Sequence, residues 1–246
     1  MGTVRLRFLG SGDAFGSGGR LQACLHLDGS EEPLLLDCGA TGLIALKQAG
    51  IDPAGLGWVA LSHLHGDHFA GVPWLVLDGQ FAGRTKPLVI AGPPGTQERL
   101  ERTFDALYPG SVDAEREFET RFVTLRDGER CELGPALITP FEGRHGSGAP
   151  AYSLRVHYGG KVIAYSGDTE WTDNLLAAAR GADLFVCETN FFDKKVPGHL
   201  DYMTLAAKRQ ELHCERIVLT HMSEEMLGHL DQLDVETAYD GLVIGL

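Results

Sequence analysis

The chain has 246 residues and a formal net charge of −13 at pH 7, from 21 Lys and Arg against 34 Asp and Glu. Hydrophobic residues make up 43% of it and charged residues 22%, which excludes a disordered or fibrous protein. The acidic balance argues against a protein that wraps nucleic acid with a broad basic face. A bound metal ion could still supply local positive charge for a phosphorylated substrate.

Short apolar and β-branched runs, bounded by Gly, Pro, Asp or Ser, predict a strand-rich fold. The predicted strands are residues 4–9, 23–27, 34–37, 58–62, 88–91, 121–125, 136–140, 152–157, 161–166, 184–188 and 216–220. Helical spacing predicts helices over residues 42–49, 96–108, 171–180, 200–212 and 223–230. No repeat or linker divides the sequence, so we expect residues 1–246 to form one domain, with helices outside two packed sheets.

The first residues, the lengths of the apolar runs and the cysteines indicate the cellular compartment. Residues 1–12 lack the apolar core of a signal peptide, and no apolar run approaches the ~18–20 residues of a membrane span. The five cysteines are scattered and form no C-x-x-C pair. We therefore expect free thiols, a cytoplasmic location and no membrane association. The apolar segment 73–81 suggests either a homodimer face or, preferably, a buried helix or strand.

A dense cluster of polar residues directly follows the apolar run 58–61. It reads Ser62-His63-Leu64-His65-Gly66-Asp67-His68. Because His63 and His65 are two positions apart, an extended segment directs both imidazoles the same way, and Asp67 and His68 can serve a second ion. Imidazole and carboxylate groups bind Zn²⁺, Mn²⁺ or Fe²⁺, and no thiolate narrows the choice.

Four ligands in one turn cannot enclose two ions, so other parts of the chain must contribute. Three further polar residues follow predicted strands in the same manner: His145, Asp168 and His221. Functional side chains concentrate on such loops, where the sheet behind them holds them in place. We predict that these residues complete the metal site.

In this order the motifs resemble those of the metallo-β-lactamase superfamily, and Asp37 in Leu-Leu-Leu-Asp-Cys-Gly matches the first motif of that superfamily. The resemblance spans nearly the whole chain. It implies an α/β fold, a four-layer αββα sandwich, with a dinuclear metal site on the edge between the sheets. It also implies two divalent ions, zinc first, with manganese or iron as alternatives.

The resemblance assigns a role to each residue by position. It implies that one ion is held by His63, His65 and His145, and the other by Asp67, His68 and His221. Asp168 would bridge the two ions. Asp37 would orient a ligand or the His-rich loop.

Two segments are similar to the ribonuclease Z-like and cyclic-phosphate phosphodiesterase branch of the superfamily. One is the glycine-rich start Phe8-Leu9-Gly10-Ser11-Gly12-Asp13. The other is Gly198-His199-Leu200-Asp201, which lies 22 residues before His221. That branch has a His near the scissile phosphate at this place, although Leu200 and Asp201 replace its usual small hydroxyl residues. The true β-lactamase branch is disfavoured because it is secreted and its second metal site typically includes a Cys ligand, whereas here Asp67 takes part and no signal peptide is visible.

These features predict a metal-dependent hydrolase, with a small or cyclic phosphodiester as the favoured substrate. A hydroxide bridging the ions would be the nucleophile, Asp67 would take its proton, and His199 would protonate the leaving group. Asp201 could orient His199. The alternatives are a thioester or lactone hydrolase similar to glyoxalase II or lactonases, and a non-catalytic metal-binding module.

Full-length tRNA is not expected as a substrate. The tRNA-processing members of the branch use a protruding basic arm, and this sequence has no room for one. Lys194-Lys195 is the only adjacent Lys pair. It is either solvated surface or a local phosphate contact near His199.

Overall fold

The computed structural model describes residues 3–246. Residues 1 and 2, the start of the segment considered for a signal peptide, lie outside the described residues. In chain order the strands are β1 (Arg5–Gly10), β2 (Cys24–Asp28), β3 (Leu34–Leu36), β4 (Trp58–Ala60), β5 (Leu88–Gly92), β6 (Thr120–Thr124), β7 (Cys131–Leu133), β8 (Ala136–Glu142), β9 (Tyr152–Tyr158), β10 (Lys161–Tyr165), β11 (Leu184–Glu188), β12 (Ile217–Thr220), β13 (Glu236–Thr237) and β14 (Val243–Gly245). The helices are α1 (Gly42–Gln48), α2 (Gly66–Phe69), α3 (Val72–Phe81), α4 (Thr96–Leu107), α5 (Asp173–Ala179), α6 (Tyr202–Lys208) and α7 (Glu224–Leu227).

Within residues 3–246 the strands form two mixed sheets of seven. The first has the order β14-β1-β2-β3-β4-β5-β6, with parallel pairing from β3 to β6. The second has the order β13-β12-β11-β10-β9-β8-β7, with parallel pairing from β10 to β13. Each sheet therefore has a parallel half in which consecutive strands end at the same edge.

Three hydrophobic clusters separate the layers. The largest lies between the two sheets and includes Phe8, Leu36, Leu154 and Val186. A second packs the first sheet against α1, α3 and α4, and a third packs the other sheet against α5, α6 and α7. This arrangement confirms the predicted four-layer αββα sandwich.

Every strand predicted from the sequence is present, with ends that differ by at most two residues. The short strands β7, β13 and β14 and the four-residue helix α2 were not predicted. The helix predicted over residues 200–212 begins later, because Asp201 caps it by accepting a hydrogen bond from the Thr204 amide at 2.9 Å. Among residues 3–246, no helix combines the length and apolar character needed to cross a membrane.

The apolar segment 73–81 is helical and mostly buried, as the preferred interpretation expected. Leu75 and Val76 of α3 pack into the cluster beneath the first sheet, and Phe81 at its end is exposed. The segment therefore does not present a continuous apolar face.

Candidate metal centre

The His-rich motif is shaped by the turn from β4 into α2. His63 follows the strand, and His65 keeps an extended backbone (φ −84°, ψ 151°) as the residue that caps α2. Asp67 and His68 lie inside the short helix. The extended part thus directs His63 and His65 toward one place, while the helical part turns Asp67 and His68 toward a neighbouring one.

The other site residues follow the ends of sheet strands, as predicted. Asp37 follows β3, Asp168 follows β10 and His221 follows β12. Asp37 and His221 both have a φ of 58°, a left-handed conformation that is uncommon outside glycine. Such strain costs about 1–3 kcal/mol and persists where surrounding contacts determine the backbone, often at functional sites.

The first donor group contains His63, His65 and His145, with one ring nitrogen of each within 4.8 Å of the others. Nδ1 of His65 lies 2.8 Å from Nε2 of His145. The opposite nitrogen of His145, Nδ1, donates to the Gly198 carbonyl at 2.7 Å, which leaves Nε2 with its lone pair directed inward. Nε2 of His63 is buried and has no hydrogen-bond partner.

The second donor group contains Asp67, His68, Asp168 and His221, all buried. Nε2 of His68 lies 3.3 Å from Asp67 Oδ2 and 3.3 Å from Asp168 Oδ1. Nε2 of His221 lies 3.2 Å from Asp67 Oδ2 and 3.5 Å from Asp168 Oδ2. Asp168 also lies 3.8 Å from Nε2 of His63, so this carboxylate stands between the two groups.

Asp37 supports both groups from below. Its carboxylate accepts hydrogen bonds from the amide and hydroxyl of Ser62, each at 2.7 Å, from Nδ1 of His68 at 2.6 Å and from the Tyr165 hydroxyl at 2.8 Å. Nδ1 of His63 lies 3.0 Å from the Ser62 hydroxyl, which links that imidazole to Asp37 as well. These contacts leave Nε2 of His63 and His68 free to face the centre.

The pKa directions of the buried side chains and the buried atoms without hydrogen-bond partners are compatible with the binding of divalent cations. Burial alone would raise the pKa of Asp168, but His221 and His68 hold it well below its usual range. Burial keeps the pKa of His63 well below its usual range, so its imidazole is neutral. Besides Nε2 of His63, Oδ1 of Asp168 is buried without a hydrogen-bond partner. A neutral His63 and an ionised Asp168 are in the states that bind a metal ion. Burial would lower the pKa of His68, but Asp168 and Asp37 raise it well above its usual range, so a metal ion would bind there in exchange for a proton.

His199 lies beside the second group, where it contacts a residue that the sequence reasoning missed. Its Nδ1 is 3.2 Å from Oε2 of Glu188 and 3.9 Å from Oδ2 of Asp168. Burial would lower the pKa of His199, but the contact with Glu188 raises it to about 9. Glu188 is the last residue of β11 and fully buried. Glu188 is an acidic residue at the end of an apolar strand, as Asp37 is after β3, and this position was the signal that could have identified it.

One expectation about a neighbour of His199 is wrong. Asp201 does not orient the imidazole, because its carboxylate caps α6 and accepts from Lys195 Nζ at 2.6 Å. Lys195 also donates to the Thr204 hydroxyl, and its side chain is 68% exposed. Lys194 Nζ lies over the Phe191 ring, 5.1 Å from its centroid. Glu188 takes the place that the sequence analysis gave to Asp201.

A cleft of about 470 Å³ opens onto the two donor groups. Asp67, Asp168, His199 and His221 lie along it, and its outer wall includes Phe15, Phe191 and Val196. A second cavity of about 330 Å³ lies on the other side of His199. The site is thus reachable by a small molecule.

Comparison with known proteins places this geometry in a family. The beta-lactamase superfamily domain matches residues 33–222, more than half of the chain. The sequence is 24% identical to ribonuclease Z of Methanosarcina acetivorans over 295 residues, covering 98% of this chain and 95% of that protein.

Solved structures share the fold. Human tRNase Z, short form, matches with a TM-score of 0.78 and 24% identity over 98% of both chains. A diphosphatase from the PhnP family matches with a TM-score of 0.76 and 19% identity over 98% of this chain and 97% of that one. The chain belongs to the metallo-β-lactamase superfamily, and ribonuclease Z proteins are among its relatives.

Proposed function

We propose that this protein is a phosphodiesterase with two metal ions that hydrolyses a small or cyclic phosphodiester. Its superfamily and its ribonuclease Z relatives make it a metal-dependent hydrolase. The observation that carries the finer proposal is the position of Asp168, between two donor groups and beside the His199–Glu188 pair.

In this proposal His63, His65 and His145 hold one ion, Asp67, His68 and His221 hold the other, and Asp168 serves both. Bound divalent ions would supply Lewis-acid activation of the phosphate and of the attacking water. Zinc fits the nitrogen-rich donor set best, and manganese or iron fit the carboxylates. Asp37 is a positioning residue, because it holds the imidazole of His68 and, through Ser62, that of His63.

In this proposal Asp67 accepts a proton from the attacking water, and His199 donates a proton to the leaving group. Oδ2 of Asp67 is on the cleft floor next to His221, where it can accept the proton of the attacking water. Nδ1 of His199 lies 3.9 Å from Oδ2 of Asp168 and forms a hydrogen bond with Glu188. Its Nε2 is then the atom available to protonate an alkoxide leaving group. An alkoxide needs such a donor far more than the weakly basic leaving group of a thioester.

The cleft favours a small substrate over tRNA. Among the residues that line it, all within the described part of the chain, none is Lys or Arg. Phosphate contacts dominate the affinity of proteins for nucleic acids, and they come from basic side chains. The sequence relatives named ribonuclease Z act on RNA, so a precursor tRNA belongs among the test substrates. The cysteines are free, which supports the proposal of a reducing, cytoplasmic compartment.

The test combines metal content with a substrate panel. We expect about two bound ions per chain, and about one in His63→Ala and in His221→Ala, because each variant disrupts a different group. His157→Ala removes an exposed imidazole on β9 and should retain both ions. Elemental analysis measures this. Protein that binds no Zn²⁺ or Mn²⁺ when these are added would overturn the proposal.

Substrate choice is tested with metal-loaded protein. A cyclic phosphodiester, a precursor tRNA, an acyl thioester and a lactone are compared by kcat/KM. We expect the cyclic phosphodiester to lead by at least about tenfold. A thioester or lactone in first place would identify the alternative hydrolase class, and no turnover of any of them at full metal occupancy would favour a binding module.

A further inference from the structure

The loop between β1 and β2 holds an aromatic ring at the mouth of the metal cleft. Phe15 is 93% exposed and lines the cleft together with Phe191 and Val196. Phe81, at the end of α3, is also exposed, but it does not line the cleft. Single exposed apolar side chains are ordinary, so exposure alone gives Phe15 no role. Its place in the lining of the cleft and the hydrogen bonds of its loop are what distinguish it.

Hydrogen bonds hold the backbone of this loop in place. The Asp13 carboxylate accepts hydrogen bonds from the Phe15 amide at 3.2 Å and from the Ser17 amide at 2.9 Å. The Gln22 side chain donates to the Ala14 carbonyl at 3.1 Å, and the Gly18 amide donates to Glu224 at 2.9 Å. Contacts on both sides of Phe15 thus fix the backbone that carries it. Because the backbone is already ordered, a ligand that packs on the ring has only the two side-chain torsions of Phe15 left to order.

The charges around the cleft restrict what can pack there. Five carboxylates line it, from Asp13, Asp67, Asp168, Glu224 and Glu225. Two divalent ions would offset the negative charge of Asp67 and Asp168. The carboxylates of Asp13, Glu224 and Glu225 would still repel any additional anionic group on a substrate. The apolar wall offers an uncharged ring a favourable surface. A ligand with one phosphodiester and one aromatic group could therefore bind its phosphate at the metal site and pack its ring on the apolar side chains of the cleft.

We propose that Phe15 is a substrate-binding residue that stacks on the aromatic group of a singly charged phosphodiester, with a nucleobase as the class of ring. The inference rests on the proposed phosphodiesterase function and specifies its substrate. Stacking of a base on an aromatic side chain tolerates any base, because every base has a π face. Phe15 then sets a preference for substrates that carry a base and leaves the chemistry at the scissile bond unchanged.

The experiment compares two substrates that differ only in the base. Adenosine 2′,3′-cyclic phosphate is paired with 1-O-methylribose 2,3-cyclic phosphate, which has the same scissile bonds and charge. Wild-type protein should favour the adenosine compound in kcat/KM. Phe15→Ala should lower kcat/KM for that compound about 5- to 30-fold and leave the value for the sugar compound within about twofold.

Two variants serve as controls. Phe15→Trp retains an aromatic face and should restore the preference for adenosine, whereas Phe81→Ala should behave as wild type on both compounds. Equal losses on both compounds in Phe15→Ala, or no loss on either, would overturn the inference while leaving the phosphodiesterase proposal intact. Failure of metal-loaded wild type to hydrolyse either compound would instead count against the proposed function.

Discussion

At the scale of single residues, the state of each imidazole determines what the site can bind. Nδ1 of His145 donates to a carbonyl and Nδ1 of His68 donates to Asp37, so Nε2 of each imidazole faces the centre. The resemblance predicted that Asp37 orients a ligand or the His-rich loop, but the Gly198 carbonyl could not be predicted as the partner of His145, because it is distant in the chain. Glu188 escaped prediction for the same reason, since its importance depends on its contact with His199.

His199 offers the sharpest test of a single role. We expect His199→Ala to lower kcat about 10²- to 10⁴-fold on an alkyl phosphodiester, the usual scale of acid–base catalysis, and far less on an activated aryl ester. His199 also belongs to a group that could hold an ion with Glu188, Asp168 and His221. Elemental analysis separates the roles: a proton donor leaves the metal content at wild-type level. Equal losses on both esters would make His199 a binding residue.

His26 predicts a pH dependence of stability away from the metal site. This imidazole on β2 is buried, and neither ring nitrogen has a hydrogen-bond partner. Burial lowers its pKa, aided by Arg7 and Arg5 and opposed by Asp28. The unfolded chain therefore takes up a proton below pH ~6.5 before the folded protein does, and the folded state loses stability as the pH falls through that range.

Replacement of His26 removes that proton uptake. We expect His26→Leu to show a shallower decrease in the free energy of unfolding between pH 7.5 and pH 5.5 than wild type. Urea denaturation at several pH values, with metal-saturated protein, measures the difference. Parallel curves for the two proteins would show that His26 does not titrate between its folded and unfolded states.

At the scale of elements, every segment predicted as a strand contains at least three apolar residues. β7, β13 and β14 contain two apolar residues or fewer, and each lies at the edge of a sheet, where a longer neighbouring strand pairs with it. α2 was missed because four residues provide no helical repeat. Its contacts with Asp37 show why it forms there.

Asp37 connects β3 to the turn between β4 and α2, and its replacement tests that connection. In Asp37→Asn the amide nitrogen would face hydrogen-bond donors that now bind a carboxylate, so we expect a stability loss of about 2–4 kcal/mol. Loss of an orienting carboxylate also lowers metal affinity, typically about 10- to 100-fold. Asp52→Asn, at an exposed turn where the side-chain oxygen accepts from Ala54, should change neither quantity. Unchanged zinc affinity in Asp37→Asn would show that Asp37 does not position the ligands.

At the scale of the whole molecule, the candidate ligands come from both sheets. His63, His65, Asp67 and His68 follow β4 of the first sheet, whereas His145, Asp168 and His221 follow strands of the second. The order of these motifs along the chain was enough to predict the sandwich and the edge where they meet. The width of the cleft and its acidic wall could not be predicted, because they depend on how loops from the two sheets approach each other.

Because ligands from both sheets would share the ions, metal binding should hold the two halves of the sandwich together. A ligand at 100 times its Kd stabilises the folded state by about 2.7 kcal/mol, and 1 kcal/mol shifts the Tm of a domain of this size by about 2–4 °C. We therefore expect a chelator to lower the Tm by roughly 5–10 °C for each ion removed. Calorimetry of wild type and His157→Ala should give the same decrease. His221→Ala, with one ion fewer to lose, should give about half of it. If the Tm of protein shown to contain both ions is unchanged by the chelator that removes them, the ions do not join the sheets.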